Sequence, residues 1–152
     1  MINNKSDVAK MKALIISSDW GPTCPLSSLL YRSGFKVEVI TSGFFSKEKH
    51  LLKKRKFLEA NKFISKYEIV LDKELILEKL VSKNCEDYHI IFASDDIMLK
   101  VIADSDIDIA KKLHILPVQS EGDIKHIYSK IGFSEVLKKA NIRTPSFLVA
   151  KG

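Results

Sequence analysis

Two neighbouring carboxylates, Asp95 and Asp96, follow the apolar run His89-Ile90-Ile91-Phe92-Ala93 and Ser94. If that run is a buried strand, the pair stands at its carboxyl end, where open α/β sheets collect ligands. A carboxylate there can hold a metal ion or a substrate amine. The same residues serve as a helix cap, worth about 1 kcal/mol without any ligand, and capping is the stronger reading. Asp19, in Ser18-Asp19-Trp20-Gly21 behind an earlier apolar run, has the same placement and the same ambiguity.

Lys130 is a candidate of another kind. It lies in the first turn of an amphipathic stretch, where the positive end of the helix dipole disfavours a cation by roughly 0.3–1 kcal/mol. A lysine beside several exposed N–H groups makes sense if a phosphate visits. An ordinary surface lysine accounts for it equally well. The largest charge feature runs from Lys47 to Lys66. Lys47, Lys49, Lys53, Lys54, Arg55, Lys56, Lys62 and Lys66 face only Glu48 and Glu59, a surplus that equals the whole formal net charge of +6. Such a run can bind phosphates, but a solvated helix face is the commoner use.

Familiar sites are missing. No G-x-G-x-x-G follows the first apolar run, and there is no phosphate loop or G-x-S-x-G elbow. His50, His89, His114 and His126 show no metal-ligand spacing, nor do Cys24 and Cys85, which read as reduced thiols packed as small hydrophobes. No metal site is expected.

The elements that must position these residues alternate. Lys12 to Ser17 reads as a strand buried on both faces. Pro25 then suits a first helical residue, with Leu26, Leu29 and Leu30 inward and Gly34 as the stop. Lys36 to Thr41 is the second strand, completing a βαβ unit. A helix is expected across the basic run, then a strand near Tyr67 to Val70. Asp72 caps a helix with Leu77, Leu80 and Val81 inward, ending near Asn84. Past the strand at His89 to Ala93, a helix turns Met98, Val101 and Ile102 inward. A short helix from Ala110 to Leu113 leads to Ile115-Leu116-Pro117-Val118, the last run of the alternation. The expected fold class is α/β: a three-layer, open, Rossmann-like sheet of four or five mainly parallel strands. With 152 residues, 45% of them hydrophobic, the chain can build one substantial core. The start lacks a signal-peptide pattern, and no apolar run can span a bilayer. A cytoplasmic protein with no membrane partner is expected.

The last segment is amphipathic from Ser129 to Ala140, with Phe133, Val136, Leu137 and Ala140 on its inward face. Asn141 suits a left-handed cap, and Arg143-Thr144-Pro145 turns the chain into a strand at Ser146 to Ala150. Lys130 opening a helix, then Leu137-Lys138-Lys139-Ala140-Asn141-Ile142-Arg143-Thr144-Pro145 and a strand, resembles the junction that leads into an ATP-grasp domain. Similar segments occur in biotin carboxylase and the carbamoyl-phosphate synthase large chain. Asn141 stands where that family usually has glycine. Ser33-Gly34-Phe35-Lys36-Val37 and Ile90 to Asp96 look like the preceding domain, the pre-ATP-grasp fold. The resemblance covers most of residues 12–152 and is weakest from Ser42 to Lys66.

This resemblance implies residues 1–11 as a flexible N-terminal segment, 12–128 as the pre-ATP-grasp domain, and 129–152 as the junction to an ATP-grasp domain. It implies a nucleotide-phosphate contact for Lys130, with Asp19 and Asp95 in substrate-side loops. The whole protein would use ATP and Mg2+ to activate a carboxylate as an acyl phosphate for capture by an amine. A homodimer is the oligomeric state that the resemblance implies. These 152 residues alone would be inactive, because the second nucleotide lysine, the metal ligands and the glycine-rich lid would lie downstream. Two other readings stand beside it. One is a stand-alone flavodoxin-like binding or regulatory module using Asp95 or Asp19. The other, less favoured, is a nucleic-acid-binding domain using Lys47 to Lys66.

Overall fold

The computed structural model describes residues 11–18, 20–42, 48–124, 126–127 and 129–143. Four strands, β1 (Lys12–Ser17), β2 (Lys36–Ser42), β3 (Ile64–Val70) and β4 (Ile90–Ala93), form one sheet in the order β3-β2-β1-β4. Every pairing is parallel. Helices α1 (Trp20–Arg32), α2 (Glu48–Ala60), α3 (Lys73–Ser82), α4 (Asp96–Ala103), α5 (Ile109–Ile115), α6 (Glu121–Ile124) and α7 (Lys130–Lys139), with a short 3-10 helix at Cys85–Asp87, complete the described elements. The result is an α/β, three-layer, Rossmann-like fold.

The continuous apolar run of β1 has its reason in this topology. As an inner strand it buries both faces: Leu14 and Ile16 join Ile76, Leu80, Met98 and Ile102 from α3 and α4. Ala13 and Ile15 face the other layer with Leu30 of α1, Val37 and Val39. Each fully buried Leu or Ile stabilises the fold by about 1.5–3 kcal/mol. Helix α2 belongs to the α1 side, since its Lys54 ammonium reaches the Thr41 hydroxyl and its Glu59 accepts from Tyr67. Gly34 ends α1 with φ of +92°, and the Phe35 N–H returns to the Leu30 carbonyl, the expected left-handed stop.

Several expectations need correction. Helix α1 begins at Trp20, so Pro25 lies inside it. Thr23 and Ser27, both fully buried, carry the inward face upstream with Leu30, leaving Leu29 at 62% exposure. Val81 of α3 is likewise outward, because Ile76 and Leu80 take the core positions. The run Ile115 to Val118 makes no strand. The Leu116 N–H is spent on the Lys112 carbonyl, the Val118 N–H on the Leu116 carbonyl, and Pro117 has none to give. A 270 Å3 groove, lined in part by Ile91, Phe92, Leu116 and Pro117, therefore runs along β4, where a fifth strand was one possibility.

Helix α7 departs furthest from expectation. It forms where the periodicity places it, with Ser129 accepting from the Gly132 N–H. Asn141 adopts φ of +56°, the Asn141 N–H meets the Lys138 carbonyl, and the Ile142 N–H meets the Leu137 carbonyl. This pair of bonds is the glycine-type helix stop, here made by asparagine. Yet Phe133 is 58% exposed, Val136 and Ala140 are exposed, and Leu137 is only half-buried. The face expected to point inward points outward. Gly132, against His126, is the residue α7 buries. The expected strand from Ser146 to Ala150 lies outside the described residues.

Candidate functional site

The strand order reverses between β1 and β4, so the crevice outside their carboxyl ends is the natural ligand position of this sheet. Ser17 ends β1 there and Ser18 follows it, and Ser94 and Asp95 follow β4. The Asp95 carboxylate is already engaged. It accepts from the Ser18 N–H at 2.7 Å and the Ser18 hydroxyl at 2.8 Å, and caps α4 through the Met98 N–H at 3.0 Å. The Ser94 hydroxyl is a fourth, longer donor at 3.4 Å. Asp95 thus sits where the sequence places it, but its oxygens tie one strand-end loop to the other. Asp96 occupies the exposed first turn of α4. Asp19 lies outside the described residues.

A second polar group closes the neighbouring strand ends. Lys54, only 5% exposed, donates to the Ser42 carbonyl at 2.6 Å, the Ser18 carbonyl at 3.1 Å and the Thr41 hydroxyl at 3.2 Å. This corrects its reading as part of a solvated basic face: Lys53, Arg55 and Lys56 are exposed, and Lys54 is not. On the helical wheel Lys54 and Leu58 share one edge, both turned to the sheet. That i, i+4 pairing was the available signal, masked by four consecutive basic residues. Ser17 adds a fully buried hydroxyl that has no hydrogen-bond partner among the described residues, beside buried Thr41 in the pairing register. Together these groups make the carboxyl end of β1 and β2 a buried hydroxyl and amine cluster.

Lys130 stands apart. It is exposed at the first position of α7, and none of the described residues accepts a hydrogen bond from its ammonium. Ser129 takes the Gly132 and Phe133 N–H groups through its hydroxyl and carbonyl, leaving those of Lys130 and Ile131 open to an anion. The hydrogen bonds of Asp95 go to Ser18, Ser94 and Met98, none of them to Lys130. Nor do the described residues contain a group of three or more His, Cys, Asp or Glu that could hold a metal ion. The thiols match expectation as packed groups, Cys85 buried and Cys24 partly so.

At the opposite end of the sheet lies a structural polar cluster that sequence reasoning missed. The Tyr88 hydroxyl donates to Glu38 at 2.9 Å and receives the Lys83 ammonium at 3.1 Å, while Lys83 and Glu38 stand 3.7 Å apart. Burial, followed by the hydrogen bond to the Glu38 carboxylate, holds the Tyr88 phenol well above the ordinary tyrosine range. Tyr88 and Glu38 are 50 residues apart in sequence, and no local pattern joins them.

Among the described residues, no helix is long and apolar enough to cross a membrane. No family model matches this chain, and no curated protein or solved structure matches it.

Proposed function

We propose that this chain is the N-terminal, pre-ATP-grasp part of an ATP-dependent carboxylate–amine ligase, with Lys130 as its contact to nucleotide phosphate. The observation that carries the reading is the outward apolar face of α7, which opens with an exposed lysine and two unengaged N–H groups. A helix that spends its apolar side on its own domain has nothing left to offer. Here Phe133, Val136 and Ala140 remain available to a following domain, as a junction helix requires. The fold supports the same reading, because an open, mainly parallel, Rossmann-like sheet is what the resemblance implies upstream of that junction.

The residues at hand fit only part of the cofactor set. Lys130 and the open N–H groups suit a phosphate, whereas the described carboxylates do not assemble the ligands that Mg2+ needs. ATP with Mg2+ would supply the phosphoryl group that activates a carboxylate, using residues beyond these. The 152-residue chain alone is therefore expected to bind ATP weakly, since one cation and two N–H groups do not offset the cost of immobilising it. Calorimetry with Mg-ATP tests this directly. The isolated chain should show no micromolar binding, and the protein encoded by the continued reading frame should bind ATP and lose affinity in Lys130→Ala. Micromolar, Mg-dependent binding by the isolated chain, or a stop codon directly after Gly152, overturns the proposal. The stop codon would favour a stand-alone module.

A further inference from the structure

The β3 edge of the sheet brings exposed leucines together with exposed cations. On α2, Leu52 is 56% exposed, and Lys53, Arg55 and Lys56 follow it within about one turn, all of them exposed. Leu71, next after β3, is 61% exposed and lines a shallow groove of 210 Å3 with Leu52 and Arg55. Leu75, in the first turn of α3, is 43% exposed. Lys66 and Lys79, both exposed, share the Glu68 carboxylate at 3.9 and 3.2 Å, which leaves a positive charge in excess along the strand. The other carboxylates at this edge are engaged locally: Glu59 accepts from the Tyr67 hydroxyl, and Asp72 caps α3. Glu74 and Glu78 belong to the other side of α3, in the groove against the Ser105–Ile107 loop. No described carboxylate forms an ion pair with Lys53, Arg55 or Lys56.

We infer that this edge docks on the surface of an anionic lipid bilayer, its leucines entering the headgroup layer and its cations meeting the lipid charges. Apolar insertion and electrostatic attraction add at such an interface. Each lysine or arginine close to an anionic surface strengthens attachment about fivefold. Charge complementarity alone would suit any polyanion, and the leucines decide between them. A nucleic acid would meet the same cations but set its charged backbone against Leu52 and Leu71. Single strands bind on exposed rings, and the exposed aromatic residues among those described, Tyr31, Phe92 and Phe133, stand on α1, β4 and α7 instead. The leucines project around a shallow groove, which suits a soft interface better than a fitted peptide. The absence of a membrane partner was expected because no apolar run can span a bilayer, and attachment at the surface needs none. This inference does not rest on the ligase reading.

Vesicle flotation with the 152-residue chain tests it, using phosphatidylcholine and phosphatidylserine in equal parts against phosphatidylcholine alone. The chain should float with the anionic vesicles, stay behind with the neutral ones, and be released as salt screens the charges. Lys53→Glu and Lys56→Glu should each lower the partition coefficient roughly tenfold or more. Lys139→Glu, the same reversal on α7, should lower it by less than about threefold. Leu52→Ala combined with Leu71→Ala leaves the charge untouched and should lower it roughly fivefold. All these positions are exposed, so far-UV circular dichroism and Tm should stay as they were, which separates lost attachment from lost folding. A chain that never floats overturns the inference. So does an equal loss in Lys139→Glu, which would mean diffuse attraction by net charge, or an unchanged partition in the leucine variant. Salt-sensitive binding of duplex DNA without flotation also overturns it, and would return the α2 face to nucleic-acid docking.

Discussion

Helices α4 and α7 are written in the same code and used in opposite ways. Each is amphipathic, each has a side-chain cap, and each brings three or four apolar residues to one side. In α4 that side closes on the sheet, with Met98 and Ile102 fully buried against Leu14, Ile16 and Ile40. In α7 it turns outward, and Phe133 is 58% exposed. Periodicity reports that a helix has an apolar face. What covers that face depends on where the chain leads next. Helix α4 follows a strand of the sheet and must pack on it. Helix α7 follows the turn after α6 and meets the domain through Gly132.

The largest expected effect separates the two directly. Ile102→Ala removes a fully buried side chain and should cost about 2–5 kcal/mol in chemical denaturation. Phe133→Ala, a larger deletion, should stay within about 0.5 kcal/mol because its side chain already faces water. Equal losses at the two sites would mean that α7 packs as α4 does.

The caps should differ for the same reason, by a smaller amount. Asp95→Ala deletes the α4 cap together with two bonds to Ser18, and leaves the Ser18 hydroxyl and N–H seeking other partners. A loss of about 1–3 kcal/mol is expected. Ser129→Ala removes only the bond to the Gly132 N–H, so about 0.5–1 kcal/mol is expected, confined to α7. Denaturant midpoints give the first comparison. Amide exchange along α7 gives the second, and should quicken in Ser129→Ala while α4 keeps its protection.

Much of this contrast was legible in the residues and part of it was not. The four strands, the Asp72 and Asp95 caps and the Gly34 and Asn141 stops follow from short patterns, because each depends on neighbours a few residues away. The burial of Lys54 and the Ser18–Asp95 bonds depend on how strands β1, β2 and β4 are ordered, which no local pattern encodes. The direction of α7 depends on less still, since Phe133, Val136 and Ala140 of its apolar face stay exposed and only Leu137 is half-buried. The placement of Asp95 at a strand end was readable; its engagement by Ser18, 77 residues away, was not. Lys130 was readable as a cation at a helix start, and the structure adds that its neighbouring N–H groups are open.

Alkaline pH offers another way to pull the regions apart. An ordinary tyrosine titrates near 10, and the folded Tyr88 phenol is held higher by burial and by Glu38. Above pH 10 the unfolded chain loses a proton that the folded chain keeps, so stability should fall as pH rises. Below that pH both states are protonated and the slope should vanish. Tyr88→Phe should flatten the alkaline limb. It should not abolish it, because Tyr67, raised by burial and its bond to Glu59, contributes in the same sense. Tyr88 belongs to the cluster that α4 packs into, so α4 amides should lose protection along this limb. Those of α7 should exchange at their intrinsic rate dependence alone. An unchanged slope in Tyr88→Phe would remove Tyr88 from the account.

The smallest effect on stability is expected at the contact that holds α7 in place. A Cβ on Gly132 would lie 2.5 Å from the His126 Nδ1 atom and 3.4 Å from its Cα, so helix and histidine cannot both stay where they are. Gly132→Ala also favours the helix itself by about 0.8–1.0 kcal/mol. The two effects oppose each other, and the core is touched by neither. Global stability should therefore hold within about 0.5 kcal/mol, while exchange at Ile127 and the first turn of α7 changes and α4 does not. That pattern would make α7 a seated helix, joined to the sheet domain at one tight contact and free to present Phe133 and Val136 elsewhere. A loss of several kcal/mol would instead place α7 inside the same cooperative unit as α4, and the contrast between the two helices would be one of exposure alone.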